Sequence, residues 1–358
     1  MATILYIGDD NTGSTSAHRA KALERLGHSV SIQNPYVGLN SSLNGKFSGA
    51  FHYKTGFVWL QRAVVKWVQE NLCNTSNYDL VWIDSGELFG VKSLKLIKSL
   101  TSKLVLYNVD DPTGSRDGKR FDSLKKSMPF YDLIVVVRNE TERECYELGA
   151  RKVLRVFRSY DEVAHSSDNL DLNALLAFQS EVAFIGTWMP HEGRDEFLIE
   201  LIKQNIPLSI WGNGWHKSKY YMQLKPCIRG KSIYGRDYVA AIRSSKICIG
   251  MLSKGNRDLH TQRSLEIPYA GGLFCAKRTT EHNAMYLEGE EAVFWEDASE
   301  CAAVCKQLLG DDTLRERIRK AGFDRVISLG VGNEEVCKKV IQAIFSKVDQ
   351  TAYNPVIK

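Results

Sequence analysis

Residues 256–297 read NRDLHTQRSLEIPYAGGLFCAKRTTEHNAMYLEGEEAVFWED. Asp258, His260, Thr261, Arg263 and Glu266 fall just before and inside a short helical run that Gly271-Gly272 ends. Two carboxylates with seven residues between them, and an arginine at a helix start, can hold a sugar nucleotide. Carboxylates accept hydrogen bonds from sugar and ribose hydroxyls, while a guanidinium and free helix N–H groups take phosphate charge. The same spacing also fits a plain surface helix on which Arg263 and Glu266 pair at i, i+3.

The rest of the chain supplies elements able to position such a loop. In the first half, strands are expected at Thr3–Ile7, 29–32, 80–83, Leu104–Tyr107 and 133–137, with a helix at 16–26. After a polar connection at 160–178 the pattern restarts. Strands at 182–185, Leu208–Trp211, 247–250, 273–276 and 292–295 alternate with helices at 194–204, 237–244 and 261–270. Closing helices follow at 298–308, 312–328 and 333–347. Apolar strands alternating with helices argue for parallel sheets covered on both faces.

The order Asn256, His260-Thr261, Arg263, Glu266, Gly271-Gly272, Thr279/Thr280-Glu281-His282, Glu288-Gly289, Glu291-Ala292 carries a further signal. It resembles the C-terminal half of the glycosyltransferase group that includes the spore-maturation CgeB-like proteins. The likeness extends back to about residue 181 and more weakly to the N-terminus. It implies an α/β chain of GT-B architecture, two Rossmann-like doubly wound domains facing across a cleft. Residues 1–165 would form the acceptor domain, completed by 345–358, and 178–344 the nucleotide-sugar donor domain. It implies a hexosyltransferase-type enzyme that moves a sugar from a UDP- or GDP-type donor to an acceptor hydroxyl. Positive side chains rather than a metal would stabilise the leaving group. The acidic spacing leans towards retention at the anomeric centre.

Open parallel sheets bind ligands beyond the C-terminal ends of their strands. Gly186 there lets backbone approach a ligand, Thr187 follows it, and Arg194 can neutralise a diphosphate. Trp215 fits a core position or a base-stacking one. Lys231 and Tyr234 are candidates beside the nucleotide base, and Met251 beside the sugar. Glu266 would grip both ribose hydroxyls and Arg263 the phosphate. Asp258 would face the transferred sugar, but is one methylene shorter than the Glu common in retaining relatives, so His260 could take that contact instead. In the first half, Gly13 permits an unusual backbone, and Ser14, Thr15 or Ser16 can cap the next helix. Alternatively this loop closes over the diphosphate with His18 near the reacting centre. Asp9-Asp10 and Asp110-Asp111 are not D-x-D patterns. No metal and no cofactor beyond the donor substrate are therefore expected, and Asp110 or Asp111 would face the acceptor.

Composition sets outer bounds. The 358 residues are 44% hydrophobic and 25% charged, with a net charge of +5, a soluble globular profile. No apolar run approaches bilayer length, and the start lacks the features of a signal peptide. The eight cysteines show no framework, so reduced thiols and a cytoplasmic setting are expected. The diffuse positive charge favours acidic small molecules and weak attraction to anionic lipid, and no nucleic-acid motif appears. The acceptor would be a glycan, a lipid-linked molecule or a small molecule. Residues 51–72 mix Trp, Phe and Val with bases; they suit a core helix or a grip on a hydrophobic acceptor at a membrane surface. Two rival functions share the cleft: a UDP-sugar 2-epimerase and a non-catalytic nucleotide-sugar binder. An NAD dehydrogenase is disfavoured, since GDDNTGS lacks G-x-G-x-x-G.

Overall fold

The computed structural model describes residues 1–45, 47–73 and 77–346. It contains two six-stranded sheets, all parallel. The first comprises β1 (Thr3–Ile7), β2 (Ser29–Gln33), β3 (Leu80–Asp84), β4 (Leu104–Tyr107), β5 (Leu133–Val136) and β6 (Val153–Arg155), in the order β2-β1-β3-β4-β5-β6. The second comprises β7 (Ser180–Ile185), β8 (Leu208–Trp211), β9 (Ile228–Gly230), β10 (Ser245–Gly250), β11 (Phe274–Lys277) and β12 (Val293–Trp295). Its order is β12-β11-β10-β7-β8-β9. Read from β9, this is the 3-2-1-4-5-6 order of a dinucleotide-binding fold, with its topological switch between β7 and β10. Strands β3, β4 and β5 are buried along their whole length because helices cover both faces, which is why they read as unbroken apolar runs.

β6 and β9 were not among the expected strands. Each is three residues long, lies at a sheet edge and is partly exposed, so it leaves no apolar run to read.

The return to the first half comes earlier than the 345–358 segment expected from the sequence. The Asn333–Phe345 helix buries Val336, Cys337, Val340 and Ile344 in the same core as Ile4, Tyr6, Trp82 and Val135, against the Thr15–Arg25 helix. Its apolar stripe has the helical spacing needed to cover an otherwise bare sheet face. Residues 347–358 lie outside the described residues.

One buried ion pair fixes the start of the Thr15–Arg25 helix at the mouth of the first sheet. Arg19 donates through Nε and Nη2 to Asp84 at the end of β3, at 2.8 and 3.0 Å. The Tyr6 hydroxyl donates to the same carboxylate at 2.6 Å, and the Arg19 guanidinium lies 4.5 Å from the Tyr107 ring centroid. His18, one residue before this anchor, is thereby carried to the cleft.

Candidate active site

The switch point of the second sheet gathers unneutralised positive charge. β7 ends at Ile185, and Gly186 follows, where an added Cβ would stand 2.8 Å from the Phe184 ring. The Gly186 carbonyl accepts from Trp215 Nε1 at 3.0 Å; with Trp215 only 2% exposed, this tryptophan is core and not base-stacking. Thr187 is exposed, and its carbonyl accepts from Arg194 Nη1 at 2.9 Å, folding Arg194 back over the strand end. Among the described residues, Arg194 and Arg263 each keep a buried Nε with no hydrogen-bond partner. Burial lowers the Arg194 pKa; Glu192 opposes this, while the like charges of Arg263 and Arg116 add to it. Guanidinium groups kept together against their repulsion, with donors unfilled, have the chemistry to receive an anion.

Beside them stands a carboxylate. Glu266 is 7% exposed on the Arg263–Tyr269 helix. Its Oε2 accepts from the Tyr238 hydroxyl at 2.7 Å, and its Oε1 faces His165 Nε2 at 3.5 Å. His165 Nδ1 accepts the Asp161 N–H at 2.8 Å, so the neutral ring carries its proton on Nε2, directed at Glu266. Burial and the Glu266 charge raise the Tyr238 pKa, which keeps it a donor. The His18 ring meets His165 edge-on at 5.5 Å between centroids. A carboxylate has about four lone-pair positions, so these two neighbours leave room for a vicinal diol. Among the described residues no ion pair joins Arg263 to Glu266, so the plain surface-helix reading fails.

The preceding loop binds the two halves together. The Asp258 carboxylate is held by Arg138 and by Arg158 Nη2 at 3.2 Å, with Asn256 Nδ2 at 3.3 Å. His260 is buried: Nδ1 meets Glu281, and Nε2 accepts the Arg158 N–H at 3.0 Å. Burial lowers its pKa, and neither ring nitrogen remains for a reacting group. A catalytic role was expected for His260; the structure places both of its nitrogens in contacts at the junction of the two halves. Thr261 N–H donates to Ser264 Oγ at 2.9 Å, and Ser264 Oγ pairs with His282 Nε2 at 2.8 Å, pinning the loop ahead of Arg263.

The remaining candidates spread out. Lys231 and Tyr234 are exposed in the loop after β9, and Met251 is partly buried against the second core. Gly13 has an ordinary φ and open space around it, so the unusual backbone that glycine allows is not used. Ser14 caps its helix, accepting from Ala17 N at 3.0 Å. His18 Nε2 pairs with the Thr12 carbonyl at 3.1 Å, while Nδ1 is buried without a partner among the described residues. Burial lowers the His18 pKa, so this imidazole is neutral near pH 7. Asp111 is taken by Arg257, and Asp110 lies 3.4 Å from Arg120. His165, Tyr238 and Arg116 were not anticipated. His165 sits in a polar connection with no periodicity, and only folding brings it to Glu266.

Comparison with known proteins agrees with this fold. Residues 194–329 match a family model described as glycosyl transferase-like. Sucrose-phosphate synthase from Thermosynechococcus elongatus superposes with a TM-score of 0.69 at 13% identity, covering 96% of this chain and 98% of that one. The Anabaena protein Alr3699/HepE in complex with UDP-glucose gives 0.63 at 11%, covering 96% and 99%. An alpha-glucosyltransferase in complex with UDP-glucose and abasic-site DNA gives 0.63 at 13%, covering 96% and 100%. Curated relatives include metallocarboxypeptidase A from Trichophyton rubrum and probable metallocarboxypeptidase A from Arthroderma benhamiae. Each is 28% identical over 142 residues, 39% of this chain, and the chain spans only 30% of their length. Carboxypeptidase zinc is held by two His and a Glu. Among the described residues the one group of three potential ligands within reach of a single ion is Cys275, Cys301 and Cys305. The fold of the whole chain is thus that of GT-B structures, and residues 194–329 are similar to a family described as glycosyl transferase-like.

Proposed function

We propose that this chain transfers a sugar from a nucleoside diphosphate donor, of UDP or GDP type, to an acceptor hydroxyl. The reading includes membership of the CgeB-like group, retention of configuration, independence of metal and a cytoplasmic setting. The observation that carries it is the pair Arg194 and Arg263, with unfilled buried donors, beside Glu266 at the switch point of the second sheet. Glu266, oriented by Tyr238 and His165, accepts from the ribose hydroxyls. Arg194 and Arg263 take the negative charge that builds on the departing diphosphate, where burial strengthens the attraction. His18 brings a neutral imidazole to the same side. Asp258, engaged by Arg138 and Arg158, is not free to act as a base, and this supports retention. UDP-glucose complexes among proteins of the same fold support a UDP-type donor. All eight cysteines are free, as a reducing compartment keeps them.

The test is a nucleotide-sugar panel read by thermal stabilisation, followed by nucleotide release with acceptors. Glu266→Gln should weaken donor binding on the order of ten- to a hundred-fold, the worth of charged hydrogen bonds, with little change in apo melting temperature. Unchanged affinity would sink the assignment of Glu266. Conversion of UDP-GlcNAc to ManNAc without acceptor would establish the epimerase instead.

A further inference from the structure

We propose that the face formed by Val37, Phe47, Phe51, Val58 and Trp59 of the first half docks on an anionic bilayer surface. Phe47 is 80% exposed and Trp59 72%, and Val37, Phe51 and Val58 are also exposed. These side chains come from adjoining short elements: the Ser48–Lys54 helix, the Val58–Leu60 turn and the residues before them. The helix that follows, Gln61–Asn71, turns Val64, Trp67 and Val68 into the core, so the exposed aromatics are a separate feature from its buried face. Residues 25–69 contain no Asp or Glu, while Lys54, Arg62 and Lys66 stand on the surface. Lys66 is shared with Glu70 at 3.7 Å; Lys54 and Arg62 have no carboxylate partner among the described residues. Aromatic side chains beside uncompensated bases match a headgroup layer, where rings enter the acyl boundary and cations meet lipid phosphate.

The position gives this face a purpose. Tyr53 donates to Asp117 at 3.0 Å, and the Arg120 guanidinium lies 5.1 Å from the Tyr53 ring centroid. Ser123 Oγ donates to the Gly56 carbonyl at 2.5 Å. The patch is thereby fixed to the segment after β4, from which Arg116 crosses to Ser253 and Glu192 of the second half. The docking face therefore borders the acceptor edge of the cleft, and an acceptor hydroxyl at headgroup level would reach it. That last consequence rests on the transferase reading; the docking itself does not.

The test is co-sedimentation of the full chain with vesicles of phosphatidylcholine alone, and with about a third phosphatidylglycerol. Binding is expected only to the anionic vesicles, and raised salt should weaken it. Phe51→Ser with Trp59→Ser should lower the partition coefficient about tenfold or more. Lys54→Gln with Arg62→Gln should lower it roughly 25-fold, about five-fold per charge. Each variant should keep the thermal shift of the parent with UDP, which shows an intact fold and donor site. No binding to either vesicle, or binding indifferent to these substitutions, overturns the proposal. So does sedimentation without vesicles that the substitutions abolish, because the face would then join copies of the chain. If the parent binds vesicles but no nucleotide, the transferase reading fails and the docking stands.

Discussion

Arg194 and Arg263 are the residues that stability alone does not explain. Each is partly buried, neither has a carboxylate partner within bonding distance among the described residues, and each carries an unfilled Nε. Arg263→Met should therefore leave the apo protein as stable or slightly more stable, while weakening UDP-type ligands by an order of magnitude or more. Differential scanning calorimetry with and without nucleotide checks both halves. A destabilised apo variant would show that Arg263 is structural. Glu266 differs in kind: the Tyr238 hydroxyl donates to one oxygen and His165 lies 3.5 Å from the other, so the fold orients it and, on the proposed reading, a ligand diol would complete it.

At the scale of elements, two polar anchors aim the site. Asp84→Ala would strand Arg19, which is 1% exposed, as an unpaired buried charge. The expected loss is about 3–5 kcal/mol, read by urea denaturation; a loss below about 1 kcal/mol would show that Arg19 finds another partner. The second anchor is His282 in the Thr280–Met285 helix, whose Nδ1–H donates to the Lys277 carbonyl at 2.7 Å while Nε2 takes the Ser264 hydroxyl. Burial, opposed by the Lys277 hydrogen bond, lowers its pKa from 6.5 to about 4. The unfolded chain then binds this proton more readily than the folded one. The contribution is whole above about pH 6.5 and is lost as the pH falls towards 4, on the order of 3 kcal/mol across that window. His282→Asn should lower the melting temperature near neutrality and flatten its decline through this window. A parallel decline in parent and variant would exclude His282 as the cause.

Across the whole molecule, the loop after β10 is a clasp between the halves. Arg257 Nε donates to Asp111 at 2.9 Å and Nη1 to Glu144 at 2.7 Å, with Thr113 at 3.0 Å from Nη2. Asp258 and His260 add contacts to Arg138 and to the Arg158 backbone. These links lie directly before the helix that carries Arg263 and Glu266, so domain closure and donor binding share one segment. Arg257→Ala should open the cleft without unfolding either half, giving a larger radius of gyration by X-ray scattering. A radius equal to that of the parent would show that the remaining contacts suffice.

The sequence by itself determined the strand–helix alternation, the second-half strand ends and the importance of residues 256–297. Apolar runs and a Gly turn are local facts, and they survive in the structure because burial on both faces demands them. It also marked Arg194, Arg263 and Glu266, since charge types at a strand end or helix start depend on near neighbours. Tertiary structure alone decided which of those charges remain unpaired. Arg257, Asp258 and Arg263 are all charged residues of one short segment, yet only folding brings Asp111, Glu144, Arg138 and Arg158 against the first two and leaves the third, among the described residues, without a carboxylate partner. It likewise brought His165, from a connection without pattern, to Glu266, and turned Trp215 into core. Pairing across more than a hundred residues leaves no periodic trace, because it is set by how two sheets meet and not by any local spacing.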